Sequence, residues 1–305
     1  MKIFVTGGAG FIGSHLTEKL VNENHEVAAF DNLTSGKLEF LEHLNSRKNF
    51  RFIKGDLTNL ETVKAALRGY EFVYHLAANP DIRKGSVETD LDLRLGTIAT
   101  YNVLEAMRLN GVKKIAFSSS SVVYGEATVI PTPEEYGPMF PTSLYAASKL
   151  ASEGLITAYC HTFDFQCWLF RFANIIGPNA THGVIYDFIH KLNKNPRELE
   201  ILGDGEQRKS YLHVVDCVNA MVHLVSHAND KINVYNLGTE DSITVRRIAE
   251  LIVEIFGLEN VNFRFTGTPR GWAGDIPRMR LSIEKLKRTG FYPARNSEKA
   301  VIDTL

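Results

Sequence analysis

The chain opens with Met1-Lys2-Ile3-Phe4-Val5-Thr6-Gly7-Gly8-Ala9-Gly10-Phe11-Ile12-Gly13, an apolar run followed by a glycine-rich turn. Ile3 to Val5 predict a strand buried in a parallel sheet. The glycines at 8, 10 and 13 fit the spacing G-x-G-x-x-G. In that pattern one glycine makes a tight turn, one lets the backbone approach a pyrophosphate, and one lets a helix pack on the strand. We therefore predict a dinucleotide site, with the pyrophosphate on the free N–H groups of the helix start.

An acidic residue ends the second apolar run. Val27-Ala28-Ala29-Phe30 reads as a strand, and Asp31 follows it 18 residues after Gly13. A carboxylate at this point accepts hydrogen bonds from the adenosine ribose. It also repels a 2′-phosphate, and the stretch from Asn32 to Gly36 contains no arginine to bind one. We predict NAD rather than NADP. The alternative, a plain strand–turn–helix with Asp31 as a turn residue, leaves the pairing of the two signals unexplained.

Composition excludes several classes of function. The 305 residues include 34 basic and 35 acidic side chains, with a net charge of −1. No block of like charge favours nucleic acid or an anionic membrane surface as a partner. No apolar run has the length of a membrane span, and strand sequence at the start argues against a signal peptide. Cys160, Cys167 and Cys217 lack metal spacing, and we interpret Cys167 and Cys217 as small core residues. We expect a cytoplasmic protein without a metal site.

Strand-like and helix-like segments alternate from residue 2 to about 172. The predicted strands are 2–6, 26–30, 50–54, 72–75, 113–118 and 165–171, and the predicted helices are 11–23, 59–68, 86–110 and 143–163. This alternation predicts an α/β fold with a doubly wound, Rossmann-type parallel sheet.

Shorter, mixed segments follow Gly177-Pro178-Asn179. They comprise helix 184–193, strands 199–202 and 209–212, helix 214–227, strand 233–237, helix 244–256 and strand 261–266. We predict an NAD-binding domain over residues 1–175 and a smaller mixed α/β substrate-binding domain over 176–305, and the pattern is compatible with segments that interleave.

Two side chains with proton-transfer chemistry share a helix face. Tyr145 and Lys149 lie four residues apart in a helix-forming stretch. A free tyrosine has a pKa of about 10, and a nearby ammonium or an oxidised nicotinamide ring lowers it. Ser118-Ser119-Ser120-Ser121 ends the predicted strand 113–118, at the sheet edge where α/β proteins bind ligands. A serine there can hydrogen-bond a reacting hydroxyl or carbonyl.

With these residues in place, the chain resembles the extended short-chain dehydrogenase/reductases, and among them the UDP-sugar 4-epimerases. The marks of the resemblance, which cover essentially the whole chain, are Thr6 to Gly13, Asp31-Asn32-Leu33, Gly55-Asp56-Leu57, His75-Leu76-Ala77-Ala78, Val123-Tyr124-Gly125, Tyr145 with Lys149, Arg171-Phe172-Ala173-Asn174 and Gly274-Asp275.

The resemblance implies a role for each matched residue. Ser120 is expected to be the catalytic hydroxyl, Tyr145 the base, and Lys149 the ligand of the nicotinamide ribose. Expected cofactor contacts are Gly7, Gly10, Phe11, Ile12, Gly13, Asp31, Asn32, Ser35, Gly36, Asp56, Leu57, Leu76, Ala77, Ala78, Ser118, Tyr145, Lys149 and Phe172. Expected substrate contacts are Ser120, Asn174, Lys209, Arg270 and Asp275. His75 and His213 are interpreted as structural residues.

The chain departs from the family pattern at three places. Gly96 stands where an asparagine is usual, Lys209-Ser210 where Arg-Asp is usual, and Trp272 where an arginine is usual. Phosphate contacts would then pass to Lys209, Arg208 or Arg270. These departures concern the identity of the nucleotide and the sugar rather than the fold.

The resemblance implies an NAD-dependent 4-epimerase of UDP-hexoses, such as UDP-glucose and UDP-galactose, working through a 4-keto sugar. A nucleotide-sugar dehydratase or decarboxylase is one alternative, although Ser121 and Val122 stand where those relatives carry an acid. A 4-keto-sugar reductase and a non-catalytic NAD-sensing protein are the others. Helices 86–110 and 143–163 resemble the pair that forms the family's homodimer.

Overall fold

The apolar run at the start of the chain is an inner strand of a parallel sheet. It forms β1 (Lys2–Thr6), which lies between β2 (Glu26–Asp31) and β4 (Phe72–His75) and is parallel to both. Strands buried on both faces carry continuous apolar sequence. Ile3 and Phe4 are accordingly almost inaccessible to solvent.

The computed structural model describes residues 1–267, 270–271 and 276–305, and within these ranges the chain divides into two units. The first unit comprises Met1–Val123, Ser143–Arg171 and Met221–Tyr235, and the second comprises Tyr124–Thr142, Phe172–Ala220 and Asn236–Leu305.

The first unit is built on the largest sheet of the described residues, which has seven strands in the order β11-β6-β5-β4-β1-β2-β3. Its further elements are α1 (Phe11–Asn22), β3 (Phe50–Lys54), α2 (Leu60–Ala66), α3 (Ile82–Gly85), α4 (Ala99–Asn110), β5 (Lys114–Ser120), α5 (Leu144–Phe163), β6 (Gln166–Phe172) and β11 (Ile232–Leu237). The doubly wound α/β prediction is confirmed.

The second unit is made of short elements around a separate apolar core. Its elements are β7 (Asn174–Ile176), α6 (Val184–Lys194), β8 (Glu198–Ile201), β9 (Arg208–Lys209), β10 (Tyr211–His213), the start of α7 (Val214–His227), β12 (Ile243–Thr244), α8 (Val245–Ile255), β13 (Asn262–Phe265), β14 (Arg278–Met279), α9 (Glu284–Lys287) and α10 (Ser297–Thr304). Sequence patterns did not reveal β7, β12, β14, α9 or α10, because elements this short carry little periodicity.

The prediction of one helix over residues 86–110 is wrong. Residues 86–90 form turns, Leu93–Ile98 form a π-helix, and α4 begins only at Ala99. The π-helix lies against α5 at Gly96, where a Cβ would collide with Ser148 Oγ. A widened turn of this kind is set by tertiary packing and often marks a functional site, so local periodicity does not reveal it.

The three cysteines are free and buried, which confirms the interpretation of Cys167 and Cys217 as core residues. Among the helices that the structure describes, none combines the length and the hydropathy needed to cross a bilayer.

Candidate active site

The glycine-rich turn packs closely against the neighbouring backbone because its glycines have no side chains. Gly7 has φ 68°, and a Cβ there would lie 2.8 Å from the main-chain nitrogen of Ala77. A Cβ at Gly13 would collide with the carbonyl oxygen of Gly7. The turn closes with a 3.0 Å hydrogen bond from Gly10 N to Gly7 O, and α1 begins at Phe11. The free N–H groups of α1 therefore follow directly on the turn.

Asp31 lies beside this turn. Its carboxylate accepts hydrogen bonds from the main-chain nitrogens of Ala9, at 3.1 Å, and Leu33, at 2.8 Å. Burial raises the pKa of Asp31, and these two bonds oppose the rise. A Cβ at Gly36 would lie 2.8 Å from Asp31 Oδ1, so the structure brings Asp31 and Gly36 together. The glycine cradle and the adjacent carboxylate fit a dinucleotide with an unphosphorylated ribose.

Two further predicted cofactor segments lie near the same strand ends. Asn32 Nδ2 reaches Asp56 Oδ2 at 3.5 Å, and Asp56 Oδ1 accepts two hydrogen bonds from Thr58. The main-chain nitrogen of Ala77 donates to Thr6 Oγ1 at 3.3 Å. The segment after β4 thus runs past the end of β1.

Lys149 is held at the centre of the predicted catalytic group. Its Nζ donates a 2.6 Å hydrogen bond to the main-chain carbonyl of Ser118. The same Nζ lies 4.7 Å from the ring centroid of Phe117 and 5.7 Å from that of Tyr145. The structure therefore brings Tyr145 and Lys149 together at the end of β5, as one turn of α5 requires.

The ionisation of the two side chains is governed by desolvation. Burial lowers the pKa of Lys149 to about 7, against the charges of Glu153 and Asp92. Desolvation raises the pKa of Tyr145, and Asp92 adds to the rise. The lowering of the Tyr145 pKa by a nearby ammonium and an oxidised nicotinamide ring stays a prediction, because it includes the charge of the bound cofactor.

The four serines at the end of β5 have different surroundings. Ser118, Ser119 and Ser121 are buried, whereas Ser120 is partly exposed. Ser118 Oγ donates to the carbonyl of His75 at 3.3 Å, and Ser119 Oγ donates to Glu153. Within the described part of the chain, the hydrogen bond found for Ser120 Oγ is a weak one, accepted from Val122 N at 3.4 Å. Ser120 is thus the serine with a hydroxyl accessible to a ligand.

A buried ion pair supports this end of the sheet from behind. Arg171 binds both carboxylate oxygens of Glu153, at 3.0 and 2.7 Å. Sequence reasoning missed Glu153, although its position four residues after Lys149 places both on one face of α5. The pair fixes α5 against β6 and Ser119.

His75 is a structural residue, as predicted. Its Nδ1 lies 2.7 Å from Thr6 Oγ1 and its Nε2 lies 3.0 Å from Thr100 Oγ1. Burial lowers its pKa to about 3, so the ring is neutral near pH 7. Among the residues that the structure describes, no group of three or more metal-ligating side chains is found.

Three of the predicted substrate contacts, Asn174, Lys209 and Arg270, belong to the second unit. Asn174 Nδ2 donates to the carbonyl of Ser210 at 3.2 Å, and Lys209 lies in β9 between β12 and β14. Arg270 forms a 2.6 Å ion pair with Glu126. Asp275 lies outside the described residues.

Comparison with known proteins agrees with this geometry. The model of the NAD dependent epimerase/dehydratase family matches residues 3–238. A UDP-glucose 4-epimerase of Mycolicibacterium smegmatis is 33% identical over 96% of this chain and 94% of its own length. A crystal structure of a UDP-galactose 4-epimerase superposes with a TM-score of 0.90 at 40% identity, covering 100% of this chain and 97% of that one. The Thermotoga maritima UDP-glucose 4-epimerase, solved with UDP-glucose, superposes with a TM-score of 0.90 at 31% identity and covers the same shares.

Proposed function

The chain belongs to the NAD-dependent epimerase/dehydratase family, and from that premise we propose that it interconverts UDP-glucose and UDP-galactose, or related UDP-hexoses, at C4. It is an NAD-dependent isomerase. The observation that carries the proposal is the position of Lys149, beside Tyr145 and bound to Ser118 at the end of β5. Ser120 ends the same strand, and the residues after it are Ser121 and Val122.

The residues of the glycine-rich turn fit NAD. The turn from Gly7 to Gly13 and the start of α1 would bind its pyrophosphate, and Asp31 would bind its adenosine ribose. NAD supplies reversible hydride chemistry at C4 of the sugar. The chain's own residues do the rest: Tyr145 takes the proton of the sugar 4′-hydroxyl, Ser120 hydrogen-bonds the same oxygen, and Lys149 positions the ribose and stabilises the phenolate of Tyr145.

The residues after Ser120 favour epimerisation over dehydration. Dehydration needs an acid that protonates a departing hydroxyl. Ser121 is buried and has a pKa far above that of a carboxylic acid, and Val122 carries no proton to give. The 4-keto sugar would therefore keep its 6′-hydroxyl and accept the hydride back on the other face.

The test gives the purified enzyme UDP-galactose deuterated at C4, without added cofactor, and follows the product by NMR. We expect UDP-glucose with deuterium retained at C4, and a rate about 10²–10⁴-fold lower in Tyr145→Phe. A 4-keto-6-deoxy product or a strict need for added NADH would assign the chain to a dehydratase or a reductase.

We propose UDP as the nucleotide of the substrate, with Asn174 and Asp275 as its base and ribose contacts. Titration calorimetry of Asp275→Ala should show a larger loss of UDP affinity than of NAD affinity. Binding of dTDP or GDP in place of UDP would contradict this assignment.

We also propose a homodimer. Leu93, Ile98, Tyr101 and Leu109 expose apolar surface on the π-helix and α4, which supports a covered face. Sedimentation of the wild type and of Leu109→Glu tests the dimer, because a charge in that face should favour the monomer.

We further propose that the protein is cytoplasmic, as the sequence analysis expects. Fractionation of the source cells tests this location.

A further inference from the structure

Asp92 is a buried carboxylate that the proposed chemistry does not use. It directly precedes the π-helix, and only 2% of its surface is exposed. Asp92 Oδ1 accepts a 3.0 Å hydrogen bond from Asn79 Nδ2. Asp92 Oδ2 has no hydrogen-bond partner among the described residues. A buried carboxylate oxygen without a donor is costly, and a nearby cation reduces that cost.

Packing holds Asp92 in one place from two sides. A Cβ at Gly85 would collide with Asp92 Oδ2, so the end of α3 closes directly over the carboxylate. The main-chain carbonyl of Asp92 accepts a 2.7 Å hydrogen bond from Ser148 Oγ. Ser148 lies between Tyr145 and Lys149 on α5. The contact therefore ties Asp92 to the turn of α5 that carries both groups.

Charge connects Asp92 to the same two side chains. Its negative charge raises the pKa of Lys149 against the effect of burial, which lowers that pKa to about 7. It also adds to the desolvation that raises the pKa of Tyr145. Burial raises the pKa of Asp92. The hydrogen bond from Asn79 and, reciprocally, the charge of Lys149 lower it. The coupling is reciprocal, as linkage requires.

Other charged groups also surround Lys149. The charge of Glu153 raises the pKa of Lys149 more than that of Asp92 does, although Glu153 is bound by Arg171. Burial keeps His75 neutral. The charged groups of the neighbouring segments are exposed; they are Asp81, Arg83, Lys84, Glu88, Asp90 and Arg94.

We infer that Asp92 is a positioning residue of the active site: it fixes the Tyr145–Lys149 turn of α5 through Ser148, and beside Glu153 it is a second buried counter-charge of Lys149. The inference rests on the proposed function, because it assigns Asp92 to the same proton-transfer centre. An ionised Asp92 favours the ammonium form of Lys149 and disfavours the phenolate form of Tyr145. Asp92 thereby shifts the pH at which the centre takes up and releases its protons.

The direct test measures the titration of Lys149 itself. Enzyme labelled with ¹³Cε-lysine is titrated by NMR, and the Lys149 signal is assigned by its loss in Lys149→Arg. Asp92→Asn keeps an acceptor for Asn79 but removes the charge, and it should lower the pKa of Lys149 by about half a unit or more. Asp90→Asn, an exposed acid two residues earlier, is the matched control and should leave the pKa of Lys149 unchanged. An unchanged pKa in folded Asp92→Asn would overturn the inference.

A reciprocal variant covers the case in which Asp92→Asn does not fold. In Lys149→Met labelled with ¹³Cγ-aspartate, loss of the ammonium should raise the pKa of Asp92 relative to wild type. No change in the pKa of Asp92 would contradict the coupling.

A separate readout distinguishes this inference from the proposed function. If UDP-hexoses are turned over, the acidic limb of kcat in Asp92→Asn should move to lower pH, because the pKa of Tyr145 falls with the loss of a nearby negative charge. A purely structural role would lower the rate without moving the limb. If no UDP-hexose is turned over, the proposed function fails, and the two NMR titrations still decide the role of Asp92.

Discussion

The ammonium of Lys149 donates a 2.6 Å hydrogen bond to the main-chain carbonyl of Ser118. This bond joins α5 to the end of β5 at the point where Tyr145 and Ser120 project. Burial of the ammonium is costly, and the low pKa of Lys149 expresses that cost.

Lys149→Met should therefore change how stability depends on pH. The pKa of folded Lys149 is about 7, below the ordinary value of about 10.4. Between these values the unfolded chain binds more protons, so this group makes wild-type stability rise with pH, by up to about 1.4 kcal/mol per unit. The stability of Lys149→Met relative to wild type should be highest below pH 7 and should fall towards pH 10. Urea unfolding at several pH values measures this, with exposed Lys84→Met as the control that should show no such trend.

Tyr145→Phe should lose most of the turnover while keeping its fold and its NAD. The ring still packs on α5, but the proton acceptor is gone, which typically costs about 10²–10⁴-fold in rate. Tyr159→Phe on the same helix is the matched control, since its hydroxyl bonds Glu105 at 3.2 Å and should leave the rate near that of wild type. A wild-type rate in Tyr145→Phe would remove this residue from the mechanism.

Asp31→Asn should reduce the preference for NAD over NADP. Denaturation of the wild type should release NAD, which mass spectrometry identifies. Loss of the charged acceptor should weaken NAD binding about tenfold or more, while removing the repulsion of a 2′-phosphate. Calorimetry with both nucleotides measures the ratio, and Asp164→Asn, an exposed acid on the far end of α5, should leave it unchanged. Recovery of mainly NADP from the wild type would contradict the cofactor assignment.

Arg171→Met should destabilise the protein strongly. The Arg171–Glu153 pair is almost fully buried, and removal of one partner leaves a buried charge, which costs about 3–5 kcal/mol. Adding Glu153→Gln should recover part of that loss, because the uncompensated charge is then gone. Denaturant unfolding of both single variants and the double variant measures the coupling. Arg246→Met, which breaks an exposed pair with Glu206, should change stability little.

Lys209→Met should weaken UDP binding without an equal loss of NAD binding. A lost charged contact to a diphosphate costs about tenfold or more in affinity. Lys191→Met is the control, because Lys191 lies in the same unit and pairs with Glu200. Equal UDP affinity in Lys209→Met and wild type would move the diphosphate contact to another cation, with Arg270 as the next candidate.

The sequence by itself determined the α/β fold, the glycine turn with Asp31, and the Tyr145–Lys149 pair. Each of these is a local pattern: an apolar run, a fixed spacing of glycines, or two residues one helical turn apart. Such patterns depend on backbone geometry over a few residues. They can therefore be recognised without knowing which distant residues pack against them.

Only the tertiary structure decided which residues surround Tyr145 and Lys149. The π-helix at Leu93–Ile98, the Glu153–Arg171 ion pair and the bond from Ser148 to Asp92 join residues far apart in the chain. Tertiary packing also decided the pKa of Tyr145, because desolvation depends on every element packed around the side chain. Long-range packing and burial produce no periodic pattern in the sequence. The charged groups around the site could therefore be identified only from the tertiary structure.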